Sequence, residues 1–198
     1  MEVTQANTRS QWLTRVHRVI VLPVVNLCLA VAMLGSVTSI ASQEALSEGE
    51  AKALLLFNFA KYTTWPAKAF RSSHSPLIIG VIGKNKFGDS LKKFEGKRIK
   101  GRSIQVEHYE DPKDYVNSHI LFCNVENPRN LAKLFKDLNL DSHHVLTVGD
   151  FKDFAKAGGV IGLTFEGNRL ALEYNSRAAR RAGIYLSENL VNLAKPVR

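Results

Sequence analysis

Several groups of reactive side chains in this sequence could carry chemistry, and each is incomplete. Gly80-Val81-Ile82-Gly83-Lys84-Asn85-Lys86-Phe87-Gly88 sits where a strand hands over to a helix. Phosphate-binding loops use that position because free amides there attract anions. However, only two residues separate Gly80 from Gly83-Lys84, Asn85 stands where a P-loop carries Ser or Thr, and Asp89 would oppose an anion. The segment reads as a phosphate cradle or as a plain tight turn. Histidines 74, 108, 119, 143 and 144 are scattered, and the adjacent pair His143-His144 lacks the i, i+4 spacing that puts two ligands on one helix face. No G-x-S-x-G elbow accompanies the serines. Cys123 closes the run Ile120-Leu121-Phe122, as a buried strand residue or as a thiol needing a nearby base. Arg177, Arg180 and Arg181 follow Glu173-Tyr174-Asn175, as a solvated face or as an edge that binds anions or carboxylates. Trp65, beside Pro66, is either a core plug or a stacking site. No catalytic residue, metal ligand set or cofactor is expected.

The elements that must position these groups follow from pattern. Ser47-Glu48-Gly49-Glu50 is a capping box, and Ala51 to Tyr62 reads as a helix that must stop near Pro66. Leu77 to Ile82 is an apolar run of strand length, covered on both faces as in a parallel sheet. A short helix is expected over Phe87–Phe94, then strands Arg98–Ile99 and Ser103–His108 around Gly101, at an edge. His119–Cys123 and Val145–Val148 are further buried strands. Between them, Asn127 and Pro128 open a helix with Leu131, Leu134, Phe135 and Leu138 on one stripe. A helix runs from Gly149-Asp150 through Ala155. Val160–Phe165 and Arg169–Tyr174 flank Glu166-Gly167-Asn168 as a hairpin. Helices over Ser176–Ala182 and Ser187–Ala194 end the chain. The result is an α/β single-domain sandwich with a mostly parallel central sheet, flanking helices and an antiparallel edge hairpin.

The first 41 residues set the compartment. Arg9, Arg15 and Arg18 lead into the apolar run Val19–Val37 and the small-residue exit Ser39-Ile40-Ala41, the three parts of a secretory signal. Residues 1–41 are expected to be a signal peptide, with an uncleaved N-terminal anchor as the alternative because the run approaches membrane-spanning length. Leu27 before Cys28 argues against a lipobox. Residues 46–198 are expected to form one periplasmic domain. The chain carries +9 at 45% hydrophobic and 23% charged residues; Arg9, Arg15, Arg18 and Glu2 account for two of those charges. The clearest basic cluster is Lys92, Lys93, Lys97, Arg98, Lys100 and Arg102. Export argues against nucleic acid, leaving an acidic partner domain, an anionic surface, a phosphorylated small molecule or a merely solvated face. With Cys28 in the signal, Cys123 alone remains, so no internal disulfide can form.

These segments together resemble the YfiR-like family of bacterial periplasmic proteins. The resemblance rests on Leu54-Leu55-Leu56-Phe57-Asn58-Phe59-Ala60-Lys61-Tyr62-Thr63-Thr64-Trp65-Pro66, on Pro76–Gly83 with Phe87-Gly88, and on Gly96-Lys97 and Gly101-Arg102. His119–Phe122, Leu146–Asp150, Phe154 with Ala157-Gly158-Gly159, Glu173–Asn175, Ala178–Gly183 and Ser187–Ala194 continue it. It implies a compact α/β domain that tends to dimerise. It also implies a non-enzymatic regulator that binds the sensor domain of an inner-membrane diguanylate cyclase, restraining cyclic-di-GMP synthesis, adhesion and biofilm formation. The disulfides linked to redox sensing in the family cannot form within this mature chain.

The docking surface is expected on the first helix and its exit (Asn58, Lys61, Tyr62, Trp65) and on the edge formed by Glu173, Asn175, Arg177 and Arg180. The alternative is a periplasmic protein binding a nucleotide or amino acid at the carboxyl ends of the parallel strands.

Overall fold

The structure is a computed structural model that describes residues 46–125, 128–140, 142–166 and 169–197. The signal segment lies outside the described residues, as do Asn127 of the expected helix cap and Gly167-Asn168 of the expected turn. Helix α1 (Glu48–Tyr62) starts on the expected capping box: the Ser47 hydroxyl accepts from the Glu50 amide, and Glu50 accepts from the Ser47 amide. It runs into β1 (Thr63–Thr64), and β2 (Leu77–Gly83), β3 (Arg98–Ile99) and β4 (Arg102–Tyr109) follow. Next come β5 (Ile120–Asn124), α2 (Leu131–Asp137), β6 (Leu146–Gly149), and the antiparallel pair β7 (Ile161–Glu166) and β8 (Arg169–Tyr174). Helix α3 (Ser176–Ala182), β9 (Tyr185–Leu186), α4 (Glu188–Val191) and β10 (Ala194–Pro196) complete the chain.

Eight strands form one sheet in the order β10-β8-β7-β6-β5-β2-β4-β3, in which β4, β2, β5, β6 and β7 are mutually parallel. Alternation along each strand divides the core between two faces. Leu77, Ile79, Val81, Ile120, Phe122, Leu146 and Val148 point to one face, where Leu56 and Phe59 of α1 and the alanines of α3 cover them. Ile82, Leu121 and Cys123 point to the other, under Leu131 and Leu134 of α2. Each large side chain buried here stabilises the fold by about 1.5–3 kcal/mol. Gly149 and Gly159 let Phe154 enter the second core, since a Cβ at either position would stand within 2.3 and 2.0 Å of its ring.

This is the α/β single-domain sandwich the pattern implies, with the hairpin at one end of its sheet. Four elements are shorter than expected. Helix α2 is α-helical only over Leu131–Asp137, after a 3₁₀ turn at Pro128–Asn130. Phe87–Phe94 forms turns and only a 3₁₀ segment at Lys92–Phe94, and residues 150–155 form no α-helix. The last helix stops at Val191, and β10 then lies parallel on β8, outside the hairpin. Helix α1 runs from the carboxyl ends of the parallel strands, where Lys52 meets Asp150, to their amino ends, where Trp65 meets His119. The exit of α1 is held there by the two-stranded ribbon β1–β9.

Candidate functional site

The carboxyl ends of β2 and β6 hold a buried charge. Lys52 on α1 is only 3% exposed, and its ammonium bonds to Asp150 (2.5 Å) and to Glu48 one turn earlier. Lys86 approaches the same Asp150 at 3.4 Å. Burial pulls the Lys52 pKa down, but the Asp150 and Glu48 carboxylates outweigh it and hold it above the ordinary lysine value. The glycine-rich segment after β2 is a tight turn rather than a cradle. Gly83 has φ +85°, and a Cβ there would sit 2.2 Å from the Asn124 carbonyl oxygen. Beside it, a depression of about 500 Å³ lies over Val81, Leu91 and Val106. Its polar groups are engaged: Glu95 accepts from the Val106 amide, Gln105 donates to Glu107, His108 bonds the Gly83 carbonyl and Lys92 pairs with Asp89. At the carboxyl ends, where the alternative reading expects a ligand, these polar side chains bond to groups of the protein itself.

The amino end is built differently. His119, just before β5, is buried; its Nδ1 accepts from the Ile78 amide (3.0 Å), so Nε2 carries the proton donated to the Ala69 carbonyl (3.2 Å). Burial, joined by the charge of Arg102 and opposed by the Ala69 bond, lowers its pKa to about 4. Phe70 is clamped between the His119 ring (4.3 Å) and the Arg102 guanidinium (3.6 Å). Arg102 in turn donates to the carbonyls of Ser72 and Ser75. A cavity of about 640 Å³ opens beside this stack.

The sequence-predicted docking residues separate into three groups. Asn58, Lys61 and Tyr62 lie on the outer face of α1 with Leu54; Tyr62 is 44% exposed, and Lys61 stands 4.6 Å over the Phe57 ring. Arg177 and Arg180 are exposed on α3, whose Ala178, Ala179 and Ala182 face the core on the α1 side of the sheet. Three others are placed differently. Trp65 is only 9% exposed and meets His119 edge-on, plugging the core at the exit of α1. The Asn175 side chain caps α3, accepting from the Ala178 amide and donating to the Ala155 carbonyl. Glu173 points to the opposite sheet face, where its Oε2 would stand 3.2 Å from a Cβ at Gly162.

The sequence reading missed Tyr185 and Leu193, which are 72% and 75% exposed. Tyr185 pairs with Thr64 in the β1–β9 ribbon, and the Ser187 amide ties to the Tyr62 carbonyl. Two-residue strands have no periodicity to read. The ribbon and the residues just after its strands hold three of the buried polar atoms without a hydrogen-bond partner among the described residues: Thr63 Oγ1, Trp65 Nε1 and Ser187 Oγ.

Cys123 is fully buried, and desolvation drives its thiol pKa up, away from nucleophilic use. The basic cluster of the β3–β4 hairpin is engaged internally: Lys93 with Glu50, Lys97 over Phe94, Arg98 with the Gly101 carbonyl, and Lys100 with the Thr63 carbonyl. Among the described residues, no cluster of three or more His, Cys, Asp and Glu could hold a metal ion, and no helix is long and apolar enough to cross a membrane.

A profile of the YfiR/HmsC-like family matches residues 49–195. No curated protein matches the sequence. The crystal structure of a conserved domain protein from Vibrio cholerae O1 biovar El Tor str. N16961 is similar in fold, with a TM-score of 0.51 at 12% identity. That likeness covers 77% of this chain and 61% of that one, so this chain spans about three fifths of that protein.

Proposed function

The chain belongs to the YfiR/HmsC-like family, and we propose that it is a non-enzymatic periplasmic regulator that docks on the sensor domain of an inner-membrane diguanylate cyclase. Docking lowers cyclic-di-GMP synthesis and with it biofilm formation. In this reading, residues 1–41 are the export signal, residues 46–198 are the working domain, and the domain acts as a homodimer.

One observation carries the docking part. Among the described residues, four of the six exposed large apolar side chains are Leu54, Tyr62, Tyr185 and Leu193, on α1, on β9 and just after α4. Lys61 stands beside Tyr62, and Arg177 and Arg180 are exposed on α3, which packs against β9. Apolar area rimmed by one sign of charge is the composition of a protein-docking patch for an acidic partner. The docking residues are therefore Asn58, Lys61, Tyr62, Arg177 and Arg180, joined by Tyr185.

The test is cyclic-di-GMP in a deletion strain complemented by the exported chain. Deletion raises the nucleotide and the wild-type chain restores it. Lys61→Glu/Arg180→Glu folds normally and fails to restore it. No rise on deletion sinks the pathway, whereas full complementation by the double variant sinks only the surface.

A further inference from the structure

The cavity at the amino ends of β2, β5 and β6 has no role in docking, and its chemistry is specific. Its volume of about 640 Å³ lies in the range of small-molecule sites. Two cations, Lys68 and Arg71, stand at its wall, and neither makes an ion pair among the described residues. The His143 ring joins them, also without a hydrogen bond among the described residues, and the amide of Asn117 adds a further polar group. No Asp or Glu is found among the described lining residues. Elsewhere in the domain most lysines rest on a carboxylate, a carbonyl or a ring; here two cations face space.

The wall is also built in advance. Pro66 opens the 3₁₀ turn Ala67–Ala69 that carries Lys68, and the Arg102–Phe70–His119 stack fixes the backbone between Lys68 and Arg71. His119 itself offers a ligand nothing, since both of its ring nitrogens are engaged. A site whose frame is already ordered loses little entropy on binding, and two cations lining a partly apolar cleft that has no carboxylate among its described residues select a compact negative ligand. We propose that this cavity binds a small organic anion bearing a carboxylate or phosphate group.

The test is isothermal titration of the full-length chain with succinate, citrate, glucose 6-phosphate and inorganic phosphate, repeated on Lys68→Glu, Arg71→Glu and the remote surface variant Lys152→Glu. Lys68, Arg71 and Lys152 are exposed, so all three variants should fold, and circular dichroism confirms it. The expected result is one-site binding of at least one probe, weakened about tenfold or more by Lys68→Glu and by Arg71→Glu but unchanged by Lys152→Glu. Binding by succinate or citrate alone assigns a carboxylate ligand; binding by the phosphates alone assigns a phosphate ligand. The proposal is overturned if no probe binds at millimolar concentration, if the two cavity variants bind as the wild type does, or if Lys152→Glu weakens binding equally.

Discussion

The two ends of the parallel sheet treat charge in opposite ways. At the carboxyl end, Lys52 and Lys86 are balanced by Asp150 and Glu48, and the groups around His108 and Glu95 close on backbone atoms. At the amino end, Lys68 and Arg71 line a cavity with no ion-pair partner among the described residues, and Tyr62 and Tyr185 face solvent. Open α/β sheets ordinarily bind ligands beyond the carboxyl ends of their strands, at the point where strand order reverses. In this domain Lys52 of α1 pairs with Asp150 just past β6, beside Lys86 just past β2, so a structural lock sits at the carboxyl ends of the sheet. The difference teaches that the strand-order rule locates a crevice only if no side chain of the protein fills it first.

The largest expected effect tests the lock. Asp150→Ala leaves the Lys52 ammonium buried with only the exposed Glu48 for a partner, and should lower unfolding stability by about 3–5 kcal/mol in a denaturant titration. The double variant Lys52→Met/Asp150→Leu removes both charges and should recover much of that loss. A small loss for Asp150→Ala would mean that water reaches Lys52, and the two ends would then no longer differ in kind.

The floor of the amino-end cavity gives the next effect. His119 titrates near 4 when folded, against an ordinary value of 6.5. Between these values the unfolded chain binds the proton that the folded chain refuses, so stability falls as pH drops from about 6.5 to about 4, by about 3 kcal/mol in all. Above this window both states are neutral at His119 and no dependence arises from it. His119→Gln should flatten that slope, whatever its effect at pH 7. Glu50, held at about 2 by Lys93 and the Ser47 amide, acts mainly below the window, where its stabilising contribution disappears between about 4.5 and 2. An unchanged slope in His119→Gln would place the proton uptake at another group.

How much of this was legible in the sequence depended on the range of the interaction. The capping box at Ser47 and the apolar strand runs Leu77–Ile82 and His119–Cys123 are local, and they appear where the pattern puts them. The lock was not legible. Lys52 reads as a solvated helix residue, and nothing in its neighbourhood announces an aspartate 98 residues away. The cluster from Lys92 to Arg102 misled in the other direction. As a string of charges it suggests a binding face or a solvated one, yet Lys93, Arg98, Lys100 and Arg102 each bond a carboxylate or carbonyl of the fold. Trp65 and Tyr185 show the same limit for aromatic residues, since the two-residue ribbon that separates them into core and surface leaves no periodic trace.

The smallest expected effect sharpens the comparison most. Lys68→Ala and Arg71→Ala remove exposed cations that hold nothing in place, so each should change unfolding stability by less than about 0.5 kcal/mol. Arg102→Ala is the contrasting variant: its guanidinium stacks on Phe70 and donates to two carbonyls, so its removal loosens the turn that carries Lys68 and Arg71. That loss should reach about 1–3 kcal/mol. The three measurements, made by denaturant titration at pH 7, separate cations that build the amino end from cations the fold leaves unused. If Lys68→Ala or Arg71→Ala costs as much as Arg102→Ala, those side chains are structural, and the contrast between a locked end and an open one fails.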